Sequence, residues 1–127
     1  MTIKIVFAED EEHIGRMVEF KLQKEGFETF WAKDGVEALK IVSRELPDLV
    51  LLDIMMPKMN GLEVLEAIKG NDQLKSIPVV MLTAKGQESD VVAGIDKGAA
   101  DYIIKPFRPA ELVARIKRLV AVKPAGG

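Results

Sequence analysis

Apolar positions along this chain fall into two alternating kinds of run. Four short stretches are almost unbroken: Ile3 to Ala8, Leu49 to Leu52, Val79 to Leu82 and Tyr102 to Ile104. Strands covered by helices on both faces have this composition, because neither face meets water, so these runs predict a parallel sheet. A fifth candidate, Phe27 to Ala32, carries Glu28 and Thr29 and suits an edge strand. Between the runs, apolar residues recur at helical spacing. Residues 11 to 25 place Ile14, Met17, Val18 and Leu22 on one face and stop at Gly26, a residue suited to closing a helix. Asp34-Gly35 predicts a turn, followed by a helix striped by Val36, Leu39 and Val42 that ends before Pro47. Asn60 caps a helix from Gly61 to Lys69, with Glu63 in the N3 place of a capping box. The polar stretch 70–77 predicts a loop. Residues 88 to 97 predict a short helix with Val91, Val92 and Ile95 inward and Gly98 at its end. Pro109 opens the last helix, whose apolar face is Leu112, Val113, Ile116, Leu119 and Val120.

The sum is a strand followed by a helix, five times over. Right-handed crossovers with helices on both faces predict an α/β fold, a flavodoxin-like doubly wound sheet of five parallel strands in the order 2-1-3-4-5. In that order the ligand crevice lies at the carboxyl ends of strands 1 and 3. One domain spans residues 1–121, and residues 122–127, VKPAGG, read as a tail or linker.

Composition narrows the function. At 127 residues, with 48% hydrophobic and 30% charged positions, the chain is sized for one folded domain that needs no staple. The net charge of -2 gives no general affinity for nucleic acid. The absence of cysteine removes disulfides, thiol catalysis and thiolate metal sites. No apolar run approaches the roughly 18 residues that cross a bilayer, and the N-terminus meets acid too early for a signal peptide, so a cytoplasmic location is expected.

The chemistry sits where the apolar runs end. Glu9 and Asp10 follow the first, Asp53 the third, Thr83 the fourth and Lys105 the fifth. A parallel sheet brings all five to one edge. Each has a plain structural alternative: Asp10 as N-cap of the first helix, Asp53 and Lys105 as solvated loop residues, Thr83 as a β-branched strand residue. Together they are harder to dismiss. Like charges about 4 Å apart repel by roughly 4 kcal/mol at an effective dielectric of about 20, so three carboxylates at one edge call for cations. Lys105 supplies one; a hard divalent ion with oxygen ligands, Mg2+ rather than zinc or copper, would supply the rest. A metal beside a free carboxylate suits phosphoryl transfer, with Asp53 as nucleophile and Thr83 and Lys105 binding phosphoryl oxygens.

At these residues the chain resembles the receiver domain of two-component response regulators from about Ile3 to Val120. The landmarks stand in order: the acid pair in FAEDEE, the acceptor in LLDIMMPKMNG, the hydroxyl in VVMLTA and the lysine in GAADYIIKPF. The resemblance implies that Asp53 is the phosphoacceptor and that Asp10 and Asp53 hold Mg2+, or Mn2+ in its place, with the Met55 backbone carbonyl and Glu9. Glu9 departs from the aspartate common in receivers. A cis Lys105-Pro106 bond is implied as well. So is a switch in which Thr83 moves inward and the Tyr102 ring follows.

The pattern around the last strand looks like the subgroup whose receivers pair before an attached winged-helix domain binds DNA. That implies a phosphorylation-dependent homodimer through the expected helix at 88–97, the last strand and the last helix, with Asp101, Arg115, Asp96 and Lys117 as its charged positions. Val91 stands where a basic residue is usual. The implied donor is a sensor histidine kinase or a histidine phosphotransfer protein, docking near Ile14, Gly15, Met17, Pro106 and Phe107. Met55 and Lys85 are poor bases for attacking water, which predicts slow self-hydrolysis. The chain is expected to be a switch rather than an enzyme and to bind no DNA itself. Two other classes fit less well. Haloacid dehalogenase-like phosphatases keep an aspartate where Met55 stands, and flavodoxin-like cofactor modules need a phosphate loop where Glu9, Asp10, Glu11 and Glu12 would repel phosphate.

Overall fold

The computed structural model describes residues 2–84 and 97–121. Five parallel strands, β1 (Lys4–Ala8), β2 (Glu28–Ala32), β3 (Leu49–Asp53), β4 (Val79–Ala84) and β5 (Asp101–Lys105), form one sheet in the order β2-β1-β3-β4-β5. Four helices are described: α1 (Glu12–Lys24), α2 (Gly35–Glu45), α3 (Gly61–Lys69) and α4 (Pro109–Ala121). The expected helix at 88–97, with Val91 and Asp96, and Lys85 before it, lie outside the described residues, as does the tail 122–127.

Alternation along the strands divides the interior in two. Val6, Ala8, Val50, Leu52, Val79 and Met81 face α2 and α3, where they pack with Val42, Val64, Leu65 and Ile68. Ile5, Phe7, Leu49, Leu51, Val80, Leu82 and Ile103 face α1 and α4 and meet Val18, Leu22, Leu112 and Ile116. Central β3 is buried at all five positions, as a strand covered on both faces must be. On the edge strand β2, Glu28 is exposed and the next three residues are only partly covered.

The helix boundaries follow local chemistry. Gly26 closes α1 with φ 92, and Asn60 and Glu63 form the expected capping box at α3. The plain alternative for Asp10 does not hold, since Glu11 takes the N-cap place of α1, with no side-chain cap bond, and one expectation is corrected. Asp34 is not a turn residue before α2 but its N-cap, accepting from the Glu37 N–H at 2.8 Å. Of the expected stripe, Val42 is buried and Leu39 packs against the core, and only Val36 is exposed. Gly35, Ala38 and Val42 are buried while Val36 is exposed, because Gly35 lets α2 approach the Met59 backbone too closely for any Cβ. Leu46, past the end of α2, adopts φ 47, a conformation usually left to glycine.

Candidate functional site

Register brings the strand ends together. Asp53 closes β3 opposite Leu82, Thr83 lies opposite Ile104 and Ala84 opposite Lys105. Glu9 is the first residue after β1, its N–H bonded to the Ala32 carbonyl at 3.0 Å. From β5 the Lys105 side chain reaches past β4 to both acids. Its Nζ donates to Asp53 Oδ2 at 2.6 Å and to Glu9 Oε1 at 2.8 Å. The remaining carboxylate oxygens are also engaged: Glu9 Oε2 accepts from the Glu11 N–H at 3.0 Å and Asp53 Oδ1 from the Met55 N–H at 3.1 Å. Lys105-Pro106 is a cis peptide, as the resemblance implied.

The result is a buried ionic centre at the floor of an open pocket. Glu9 is fully buried and Asp53 nearly so, while Asp10 at the rim is exposed. A cavity of about 530 Å³ is lined by Glu9, Asp10, Glu11, Asp53, Met55, Ala84 and Lys105. Thr83 is buried at the end of β4 and is not among the lining residues. Its Oγ1 donates to the Ala84 carbonyl at 3.4 Å. Tyr102, half-buried, packs against the α2/α3 side of the sheet and, with Asp101, Ile104, Pro106, Glu111 and Arg115, lines a second hollow that Lys105 also borders.

Charge in the pocket is unbalanced. Among the described residues, four carboxylates, Glu9, Asp10, Glu11 and Asp53, line the pocket with the single ammonium of Lys105. Burial pushes the Glu9 carboxyl up to about 7, and although bonds from Lys105 and the Glu11 N–H pull it down, proximity to Asp53 adds to the rise. For Lys105, burial disfavours the charge, but the bonds to Asp53 and Glu9 outweigh it and leave the ammonium harder to deprotonate than usual. One carboxylate oxygen from each of Glu9, Asp10 and Asp53 lies within 4.8 Å of the others. An all-oxygen donor set of this charge fits a hard divalent cation and suits neither zinc nor copper.

Two contacts were not legible in the sequence. Glu11, named in the sequence only as an acid that would repel phosphate, both lines the pocket and supplies the N–H that holds Glu9. Trp31, on the edge strand, donates its indole N–H to the Glu9 carbonyl at 2.9 Å. No spacing signal marks either. Of the charged positions of the expected dimer face, Asp96 lies outside the described residues and the other three are engaged within the chain: Arg115 with Asp101 at 3.0 Å and Lys117 with Glu25 at 2.6 Å.

A five-stranded parallel sheet with an acid pocket and a lysine at its carboxyl edge defines a phosphoacceptor class of α/β domain. Residues 5–117 match the family model of the response regulator receiver domain, and the chain belongs to that family, the receivers of two-component signalling. It is 42% identical over 120 residues to the alkaline phosphatase synthesis transcriptional regulatory protein PhoP of Bacillus subtilis (strain 168), covering 94% of this chain and 49% of that protein. The chain thus spans about half the length of that relative. Among solved structures it is similar to a protein described as a response regulator from Chloroflexus aurantiacus J-10-fl, with TM-score 0.91 and 34% identity over 95% of this chain and 99% of that one. It is also similar to the chemotaxis response regulator CheY4 of Vibrio cholerae, with TM-score 0.88 and 32% identity over 94% and 99%. Among the described residues no helix is long and apolar enough to cross a membrane.

Proposed function

We propose that Asp53 is the phosphoacceptor of this receiver and that its donor is a phosphohistidine on a sensor kinase or phosphotransfer protein. The observation that carries this reading is the position of Asp53: a nearly buried carboxylate at the pocket floor, one oxygen held by Lys105 and the other by the Met55 N–H. Both bonds orient the side chain and leave a lone pair facing the pocket. In the transfer, an Asp53 oxygen forms a bond to phosphorus as the bond from phosphorus to the donor imidazole nitrogen breaks, and the imidazole leaves with its electron pair. Lys105 is placed to follow the developing charge onto the phosphoryl oxygens, and the Thr83 hydroxyl, one strand over, would donate to another.

Glu9, Asp10 and Asp53, with the Met55 carbonyl, would hold Mg2+ or Mn2+. Bound there, the ion would offset the pocket's surplus charge and that of the incoming phosphoryl oxygens. The protein is read as a switch that catalyses its own modification, with residues 1–121 as the receiver unit and 122–127 as tail.

Phosphorylation adds roughly -1.5 to -2 charges beside Lys105 and Thr83. Moving a two-state equilibrium from 1:99 to 99:1 takes about 5.5 kcal/mol, within reach of a few charge-assisted bonds of about 1.5–3 kcal/mol each. Thr83 and Tyr102 would carry this change to the β5/α4 face. A homodimer through that face, using Asp101, Arg115, Lys117 and Asp96, would exchange the intrachain pairs of Arg115 and Lys117 for interchain ones. The Lys117 pair is largely exposed and worth only about 0–1 kcal/mol, whereas the Arg115 pair, with Asp101 mostly covered, is the one whose exchange the dimer would have to offset.

Mass spectrometry after incubation with acetyl phosphate and Mg2+ tests the assignment. An acid-side-chain phosphoryl adduct is expected on the native chain and none on Asp53→Ala. An adduct retained by that variant would overturn the proposal.

A further inference from the structure

Trp31 is a large indole on an edge strand, where a surface residue would serve, yet it is tied to its surroundings on four sides. Its Nε1–H donates to the Glu9 carbonyl at 2.9 Å. Its ring stacks on Phe7 with centroids 5.8 Å apart and planes 16° apart. The Lys33 ammonium lies 5.1 Å over the ring. On the fourth side is Gly15 of α1, where a Cβ would fall 1.9 Å from a ring carbon, so α1 has no side chain at the position the indole occupies. Packing alone would explain a ring, but it would not explain an N–H aimed at the one carbonyl between the two acids of the pocket.

We infer that Trp31 is a positioning residue for the acid loop, fixing the Glu9 backbone so that the Glu9 and Asp10 carboxylates converge with Asp53 on one cation. Glu9 is held at three points of its own: its N–H by Ala32, its carbonyl by Trp31 and its carboxylate by Lys105 and the Glu11 N–H. The Glu9 carbonyl belongs to the peptide that leads into Asp10. Asp10 itself is exposed, so this peptide is where the loop can be braced without covering the pocket. Removing the indole N–H frees that peptide to rotate and spreads the oxygens now gathered within 4.8 Å.

The inference rests on the acid pocket being a divalent-cation site, and its test separates the two. Mg2+ and Mn2+ are titrated by calorimetry into the native chain, Trp31→Phe and Phe7→Leu, with thermal unfolding recorded for each. Trp31→Phe keeps a ring and removes the donor. Its ion affinity should fall about two- to tenfold, the size of one hydrogen bond, while Phe7→Leu, which loosens the stack but spares the donor, should bind as the native chain does. Equal weakening in both variants would mean that Trp31 only packs, and equal affinity of Trp31→Phe and the native chain would also overturn the inference. Absence of saturable ion binding by the native chain would overturn both it and the reading of the pocket. Trp31 is the sole tryptophan, so a second readout needs no variant. Its emission in the native chain should change with added Mg2+ at the calorimetric midpoint, and emission blind to a calorimetrically bound ion would count against the inference.

Discussion

Glu9 ties stability to pH in a way that can be worked out in advance. Its carboxyl is fully buried and its pKa is pushed from 4.5 to about 7, chiefly by burial. Between those two values the native chain binds a proton that the unfolded chain releases. The stabilisation is therefore whole below pH 4.5 and is lost as the pH rises through 7. The gap of about 2.5 pH units, at roughly 1.36 kcal/mol per unit, amounts to about 3 kcal/mol. For a domain of this size that is a fall in Tm of about 10 °C. Glu12, Glu25, Asp34, Glu45 and Glu66 have lowered values, through bonds to Lys33, Lys117, the Glu37 N–H, Arg44 and Lys97 respectively, so what they contribute is lost only as the pH drops below the usual carboxylate range. Calorimetric unfolding in EDTA from pH 5 to 8 should show Tm falling, with the slope flattened in Glu9→Gln. Saturating Mg2+, which favours the ionised pocket, should flatten it as well. A Tm that stays level or rises across that range in EDTA, or a slope that survives Glu9→Gln, would refute the assignment of a protonated Glu9 to the ion-free fold.

Lys105→Ala removes the only ammonium shared by Glu9 and Asp53; in EDTA at pH 8 it should cost about 3 kcal/mol by denaturant unfolding, while tightening Mg2+ binding measured by calorimetry. Asn60→Ala deletes the cap on the Glu63 N–H and should lower stability by about 1 kcal/mol in the same assay. Leu46→Gly relieves a left-handed backbone at an exposed site and should raise Tm slightly, by the equivalent of about 0.5–1 kcal/mol. Gly61→Ala would drive a Cβ to 2.4 Å from the Asp53 carbonyl oxygen, so phosphorylation by acetyl phosphate should slow, with the Asp53 strand end displaced.

The strand ends were legible because a parallel sheet turns order in sequence into adjacency in space. Once Ile3 to Ala8 and Leu49 to Leu52 are strands, Glu9 and Asp53 must be neighbours. The capping box at Asn60 was legible because its geometry spans only four residues. In the α2 stripe Val42 and Leu39 were legible but Val36 was not, for the opposite reason: at that end of the helix the facing is set by Gly35 meeting the Met59 backbone, a contact distant in sequence. Nor does periodicity reveal hydrogen bonds. Trp31 shares with many edge-strand aromatics an apolar outline, and only the fold shows that its N–H has a single carbonyl to meet. Whether Asp101 and Arg115 pair within or between chains is likewise invisible to spacing, and in this fold they pair within.

The division of the interior by the sheet has a consequence for how such a domain can change over time. Phe7, Leu51 and Leu82 answer to α1 and α4, whereas Val6, Leu52 and Met81 answer to α2 and α3, and among the described residues no buried side chain belongs to both. The two sets of side chains meet only through the strand backbones, so a change of volume on one side is felt first by the helices on that side. The strands act as a bulkhead: one side of the molecule can be remodelled for a new partner while the other keeps its shape, and only the exposed carboxyl edge, where both compartments open, must satisfy the two at once.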